Sequence, residues 1–137
     1  MSKAVLISVR PVWCMKIMCG VKFAEIRKSK PKCKPPFRCF IYQTVPKTGG
    51  RTGHSGRVIG EFLCSDIIPI TEENKAYFAF RACVSPEEMM KYSGGEPLYA
   101  WIISYPVRFS EPRPLSLFGL KHPPMSWCYV TEVLKDG

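Results

Sequence analysis

The run Gly20-Val21-Lys22-Phe23-Ala24-Glu25-Ile26-Arg27 sets a cation, a carboxylate and a second cation close together. In an extended chain alternate residues share a face, so Glu25 and Arg27 point the same way. Lys22 joins them only if the backbone is irregular where it enters the strand. Two cations so placed can hold a phosphate or a carbonyl oxygen, and an arginine can do so bidentately. The carboxylate can accept from a base amino group, or act as a general base where its pKa is raised. The same residues on an exposed strand face would be ordinary surface charge.

Glu61 is the second carboxylate of interest, because it lies among apolar neighbours in Val58-Ile59-Gly60-Glu61-Phe62. Pointing inward beside Lys22 it would complete an acid–base pair; pointing outward it is plain surface. Ser8 stands at a strand-to-helix turn and Ser126 between Pro123-Pro124 and Trp127. With Arg10, Trp101 and Trp127 these serines are the candidate lining of a cleft. The tryptophans can serve as core or as platforms for unpaired bases. Ser126 has no nearby His-Asp partner in the sequence that would make it a hydrolase nucleophile. His54 lies in a Gly-rich loop that lacks the Gly-Lys-Ser/Thr ending of a phosphate-binding loop; it is either simply exposed or touches phosphate.

The elements that must position these residues can be read in order. Lys3 to Val9 is rich in β-branched and aliphatic residues and predicts a strand. Pro11 sits at a first helical position and Gly20 just past a helix end, with Trp13 and Ile17, and Cys14 and Met18, recurring at four-residue spacing. Val21 to Arg27 is expected to return as a strand, and the Lys/Pro-rich residues 28–36 as an extended linker. Strands are predicted at Phe37–Thr44 and Arg57–Ile70, with Gly60 marking a bulge or a close approach by a ligand or another backbone. Residues 45–56 read as a loop. Thr71 is expected to cap a helix with Glu72 and Glu73 in its first turn, and Ser85-Pro86-Glu87-Glu88 reads as a capping box ended by Gly94-Gly95. Leu98–Phe109 and Trp127–Leu134 close the chain as strands. The order β-α-β-β-β-α-α-β-β suits a small, partly closed barrel flanked by helices.

Composition narrows the function classes. At 137 residues and 46% hydrophobic content, one globular domain spanning 1–137 is expected. No apolar run has the roughly 20 residues of a membrane span, and Arg10-Pro11 cuts the first one short; a cytoplasmic protein with no membrane role is expected. The seven cysteines are odd in number, with no Cys-x-x-Cys pair, so they read as reduced thiols rather than disulfides or a zinc site. No metal or organic cofactor is implied. The net charge of +9 is concentrated: between Glu25 and Glu61 there is no acidic residue, while Arg27, Lys28, Lys30, Lys32, Lys34, Arg38, Lys47, Arg51 and Arg57 are basic. Elsewhere basic and acidic residues cancel. A patch of that kind is the electrostatic footprint expected for a polyanion, and Lys22, Glu25, Arg27, Lys28, Lys30, Lys32, Arg38, Arg51 and Arg57 are its candidate nucleic-acid contacts. The alternative is a solvated basic loop.

Ile7-Ser8-Val9-Arg10-Pro11-Val12-Trp13, followed by Gly20-x-Lys22-x-x-Glu25-x-Arg27, resembles the opening of ASCH domains, a family of the PUA-like superfamily. Val58-Ile59-Gly60-Glu61-Phe62 resembles their next shared strand. Tyr99-Ala100-Trp101 and Pro123-Pro124-Met125-Ser126-Trp127-Cys128-Tyr129 are similar to small bacterial or prophage-type members, so the resemblance runs from residue 4 to about 131. It implies an α+β, mainly β fold: a PUA-like small β-barrel flanked by short helices. It also implies a role with RNA, a nucleotide or a nucleoside. Some small members are amidohydrolases on N4-acetylated cytidine with a Lys, Thr and Glu set, and some are ribonucleases. Lys22 matches the Lys and Glu61 the Glu, while Glu25 stands where the Thr would be. If the chain is an enzyme, Lys22, Glu25 and Glu61 are therefore its catalytic candidates. Three functions follow: an RNA- or nucleotide-binding module, a small hydrolase of that type, and a protein-interaction adaptor.

Overall fold

The computed structural model describes residues 3–47 and 54–131. Six strands and three short helices follow in the order β1 (Lys3–Val9), α1 (Pro11–Met18), β2 (Ala24–Arg27), β3 (Phe37–Gln43), β4 (Arg57–Pro69), α2 (Lys75–Arg81), α3 (Pro86–Ser93), β5 (Tyr99–Arg113) and β6 (Trp127–Thr131). A 3-10 turn, Leu115–Phe118, precedes β6. The strands form one half-barrel in the order β2-β5-β4-β3-β1-β6. All neighbours are antiparallel except β1 and β3, which run parallel. This is the α+β, mainly β architecture expected from the sequence, a partly closed barrel flanked by short helices.

Local signals set most of the boundaries. Pro11 opens α1, and Gly20 ends it at φ +80°. The amide of Gly20 bonds Ile17 O and that of Val21 bonds Lys16 O, the paired bonds that terminate a helix through a left-handed residue. The chain therefore leaves α1 through an irregular segment and enters β2 at Ala24 rather than at Val21, later than expected. Ser85 and Glu88 form the predicted capping box and Gly94 stops α3 in the left-handed region. Thr71 does not cap α2 directly: its hydroxyl accepts from Asn74 N and its amide donates to the Asn74 side chain, so Asn74 occupies the cap one turn later. β5 continues through Pro106 and Pro112 to Arg113, longer than expected. Arg51, part of the residue 45–56 loop and residues 132–134 of the last predicted strand lie outside the described residues.

The half-barrel buries both faces. Inside are Val5, Ile7, Val9, Cys39, Ile41, Ile59, Phe62 and Trp101, closed at one end by Cys14 and Ile17 of α1. On the outer face Ala4, Leu6, Phe40 and Val58 pack under Phe118 of the 3-10 turn. Ala24 and Ala100 pack under Phe78 and Ala82 at the end of α2. At Gly60 the expected close approach is real: a Cβ there would collide with the backbone oxygen of Val107 in β5 and meet the Met18 side chain at 2.7 Å. The β4–β5 register shifts at the same place.

Candidate functional site

β2 is an edge strand, and its inward-facing side chains lie where the half-barrel is open. Glu25 pairs with Trp101 across β2 and β5, and so shares the interior face with it. Arg27 follows on the same face. The irregular exit from α1 swings Lys22 to that side, so the trio conjectured from the sequence is assembled. Lys22 is 4% exposed, Glu25 6% and Arg27 9%.

These three charges are satisfied mainly by one another. The Arg27 guanidinium donates twice to Glu25 Oε2, at 2.9 and 2.7 Å. Its remaining donors cross the open seam to Ser8 O at 2.8 Å, Ser126 O at 3.3 Å and Ser126 Oγ at 3.1 Å. Lys22 Nζ donates to Ala82 O at 2.6 Å, lies 4.6 Å from the centre of the Trp13 ring, and stands 3.5 Å from Glu25 Oε1. Oε1 itself makes no hydrogen bond. Burial alone would raise the pKa of Glu25, but the Arg27 guanidinium, and after it the Lys22 ammonium, hold the carboxyl below its ordinary 4.5. Glu25 is therefore held as an anchored carboxylate. The nearby Cys14 thiol is pushed up to about 12 by burial first and by the Glu25 charge second.

Of the other candidates, Ser8 and Ser126 meet at Arg27, with the Ser8 hydroxyl donating to Pro124 O at 2.7 Å. Arg10 is exposed at the start of α1. Trp101 is fully buried, so it is core and not cleft lining; its ring packs edge-on against Phe37 and Trp127. Trp127 is half-buried and its indole donates to Ser29 Oγ at 2.9 Å. Of the two orientations open to Glu61, the structure has the one away from Lys22. Glu61 pairs with Phe40, whose side chain is on the outer face, and its carboxylate meets Arg38 at 2.6 Å. The bulge between Ile41 and Tyr42 and the β4–β5 irregularities do not bring it back to the interior. Lys28, Lys30, Lys32, Lys34 and Arg57 are exposed, as is His54.

A groove of about 280 Å³ opens beside the trio, lined by Ile17, Lys22, Phe23, Ile103, Ser104 and Tyr105 among others. Among the described residues Lys22 is its only charged lining residue. At its rim Tyr105 is 80% exposed and holds φ +51°, an unusual backbone state for a bulky residue. Among the described residues no group of three His, Cys, Asp or Glu is placed to hold a metal, and no helix is long and apolar enough to cross a membrane.

Among solved structures, three of the ASCH protein of Zymomonas mobilis superpose on nearly the whole chain. A tyrosine-to-phenylalanine variant covers 93% of this chain and 90% of that one at TM-score 0.76 and 21% identity. A serine-to-alanine variant covers 92% and 87% at TM-score 0.75 and 20% identity, and the unsubstituted protein covers 92% and 86% at TM-score 0.75 and 21% identity. This chain has the ASCH fold. No family model and no curated protein matches its sequence.

Within this ASCH fold, sequence reasoning missed the partners that make the site. The Ala82 carbonyl at the end of α2 and the Trp13 ring hold Lys22, and nothing in the local sequence signals either role. Ser29, just beyond β2, accepts from both indoles, Trp101 at 3.3 Å and Trp127 at 2.9 Å. Its only signal is its position in the basic linker.

Proposed function

We propose that this protein is an RNA- or nucleotide-binding module whose affinity comes from the basic stretch that follows β2. The observation that carries this reading is a division of charge. The interior cations Lys22 and Arg27 are committed to Glu25, whereas Lys28, Lys30, Lys32 and Lys34 face solvent with no carboxylate in ion-pair range among the described residues. Uncompensated surface cations of this density match a phosphate backbone better than a neutral partner. The ASCH fold and the exposed Tyr105 beside the Lys22 groove support the same reading.

The test is binding of a short labelled RNA across a salt series. Each phosphate neutralised on a single strand contributes about 0.7 to the slope of log K against log salt. Replacing Lys28, Lys30 and Lys32 together by Gln is expected to flatten that slope by about 2. A wild-type protein that binds no RNA, or binds it with no salt dependence, refutes the proposal.

A second reading, hydrolysis of an N4-acylated cytidine, rests on one observation: among the described residues Lys22 is the only charge lining the groove. The separation of Glu61 from Lys22 removes one member of the expected set. Incubation with N4-acetylcytidine decides it. Loss of the acetyl group with wild type but not with Lys22→Ala supports the hydrolase, and intact substrate with both refutes it.

A further inference from the structure

Beyond β2 the chain does not simply hang as a basic tail. Residues 28–32 cross the seam of the half-barrel as a strap, and aromatic rings from separate elements lie along its length. Lys28 Nζ sits 5.0 Å from the centre of the Tyr92 ring in α3. Lys30 Nζ sits 5.5 Å from the Tyr99 ring at the start of β5. The Lys32 amide donates to the Tyr129 hydroxyl in β6 at 2.6 Å, and Lys3 Nζ of β1 lies 5.2 Å from the same ring. Trp127 stands edge-on to Tyr129 at 5.3 Å. Between the lysines, Ser29 is tied down by the Trp101 and Trp127 indoles. Tyr92 is 44% and Tyr129 39% exposed, while Tyr99 is half-buried against the interior core.

We infer that this strap and the tyrosines beside it form a track for single-stranded RNA, with unpaired bases stacking on Tyr92, Tyr99 and Tyr129 and phosphates held by Lys3, Lys28, Lys30 and Lys32. The inference rests on the RNA-binding reading above and specifies the form of RNA and the residues that read it. Lys28, Lys30 and Lys32 stand at every second residue of the strap, which bends at Lys28 and Lys32, and all three are exposed and available to phosphates. An exposed ammonium–ring contact is weaker than a stacked base. An arriving base therefore displaces the lysine from its ring, and the freed ammonium turns to the neighbouring phosphate. A duplex cannot use the rings, because its base faces are already stacked on one another. An acidic peptide could use the lysines but offers the rings no flat partner. The track lies at the end of β2 opposite the Lys22 groove, so the two can be altered separately.

The test compares a fluorescein-labelled oligoadenylate of about ten nucleotides, within the usual site size of single-strand binders, with an RNA hairpin of equal charge. Polyglutamate serves as a competitor. Wild type is expected to bind the single strand about tenfold tighter than the hairpin. Tyr92→Leu and Tyr129→Leu should each weaken single-strand binding about five- to tenfold with the salt slope unchanged, since no cation is removed. Tyr129→Phe, which keeps the ring but loses the Lys32 contact, should stay within about twofold of wild type. Tyr92 is exposed on α3, so its substitution keeps the test valid even if Tyr129→Leu loosens the strap. Single-strand binding within about twofold of wild type in both Leu variants overturns the track. So does equal affinity for the hairpin, or competition by polyglutamate as strong as that by unlabelled RNA. Wild-type protein that binds neither RNA defeats the RNA-binding reading itself, a result distinct from RNA binding that ignores the tyrosines.

Discussion

Arg27→Met tests whether the interior charges behave as one unit. The substitution keeps most of the side-chain volume but removes both donors to Glu25 Oε2 and the three contacts to Ser8 and Ser126 that span the seam. Glu25 is then a carboxylate 6% exposed, with Lys22 at 3.5 Å as its one remaining charge partner. Removing one member of a buried ion pair costs about 3–5 kcal/mol, because the other is left without compensation. With a urea dependence near 2 kcal/mol per molar, the midpoint of unfolding should fall by about 2 M. Tryptophan fluorescence at neutral pH is a suitable readout, since Trp101 and Trp127 flank the seam. If the stranded carboxylate is the cause, Glu25→Gln combined with Arg27→Met should be less destabilised than the sum of the two single variants. A loss below about 1 kcal/mol, or strict additivity, would refute the reasoning and mean that water reaches Glu25.

The same carboxylate gives an acid limb: its folded pKa lies below the ordinary 4.5, so its contribution is complete above 4.5 and lost as pH falls through the folded value. Glu25→Gln should be flatter than wild type over that range when unfolding is followed against pH. At the alkaline end, burial pushes the Cys14 and Cys64 thiols up to about 12 from an ordinary 9.0. A raised folded pKa means stability intact below 9.0 and declining as pH rises toward about 12, by up to about 4 kcal/mol for one thiol at 1.36 kcal/mol per pH unit. Cys14→Ala should be less sensitive than wild type across that interval, and parallel profiles would refute the assignment. Gly20→Ala should cost about 1–2 kcal/mol through its φ of +80° alone, since nothing stands within 4 Å of a new Cβ. Gly60→Ala should cost about 1–3 kcal/mol through collision with Val107 and Met18, with β4 and β5 forced apart. Thermal melting separates the two, because a second substitution that trims Met18 relieves the Gly60 variant in part, the Val107 backbone clash remaining, and does nothing for the Gly20 variant.

What the sequence discloses here is what local chemistry determines. Pro11, Gly20, the Ser85–Glu88 box and Gly94 bracket α1 and α3 because each satisfies or ends a helix through groups within a few residues. The close approach at Gly60 is legible because little except absence of a side chain explains glycine inside a long apolar strand. Lys22 could be placed beside Glu25 only conditionally, since its position depends on how the chain leaves α1. The seam was not legible. Ser8 and Ser126 reach Arg27 from 19 and 99 residues away, and only the β2-to-β6 ordering of the half-barrel brings them together. Glu61 is left open by local pattern: a period-two reading allows either face, and pairing with Phe40 decides for the outside. Tyr92, Tyr99 and Tyr129 escape notice because their common feature is proximity to one strap and not to one another in sequence.

The trio and the strap explain how one short basic segment can serve two ends. A positive charge inside a half-barrel is tolerable only where its donors are matched, and Arg27 is matched by a carboxylate and the seam acceptors together. Its place in the chain then fixes the start of the strap, because Lys28 emerges on the outside directly after it. On the proposed reading, the interior charges orient the exterior ones. Loss of Arg27 should weaken RNA binding only in proportion to loss of fold or displacement of the strap. Loss of Lys30, exposed and free of any carboxylate partner among the described residues, should weaken RNA binding while leaving the unfolding midpoint within about 0.5 kcal/mol of wild type. Measured side by side, the two variants separate the residues that build the surface from those that use it. An Arg27 variant that keeps its stability but loses RNA would place the guanidinium in the binding site and contradict the division of charge argued above.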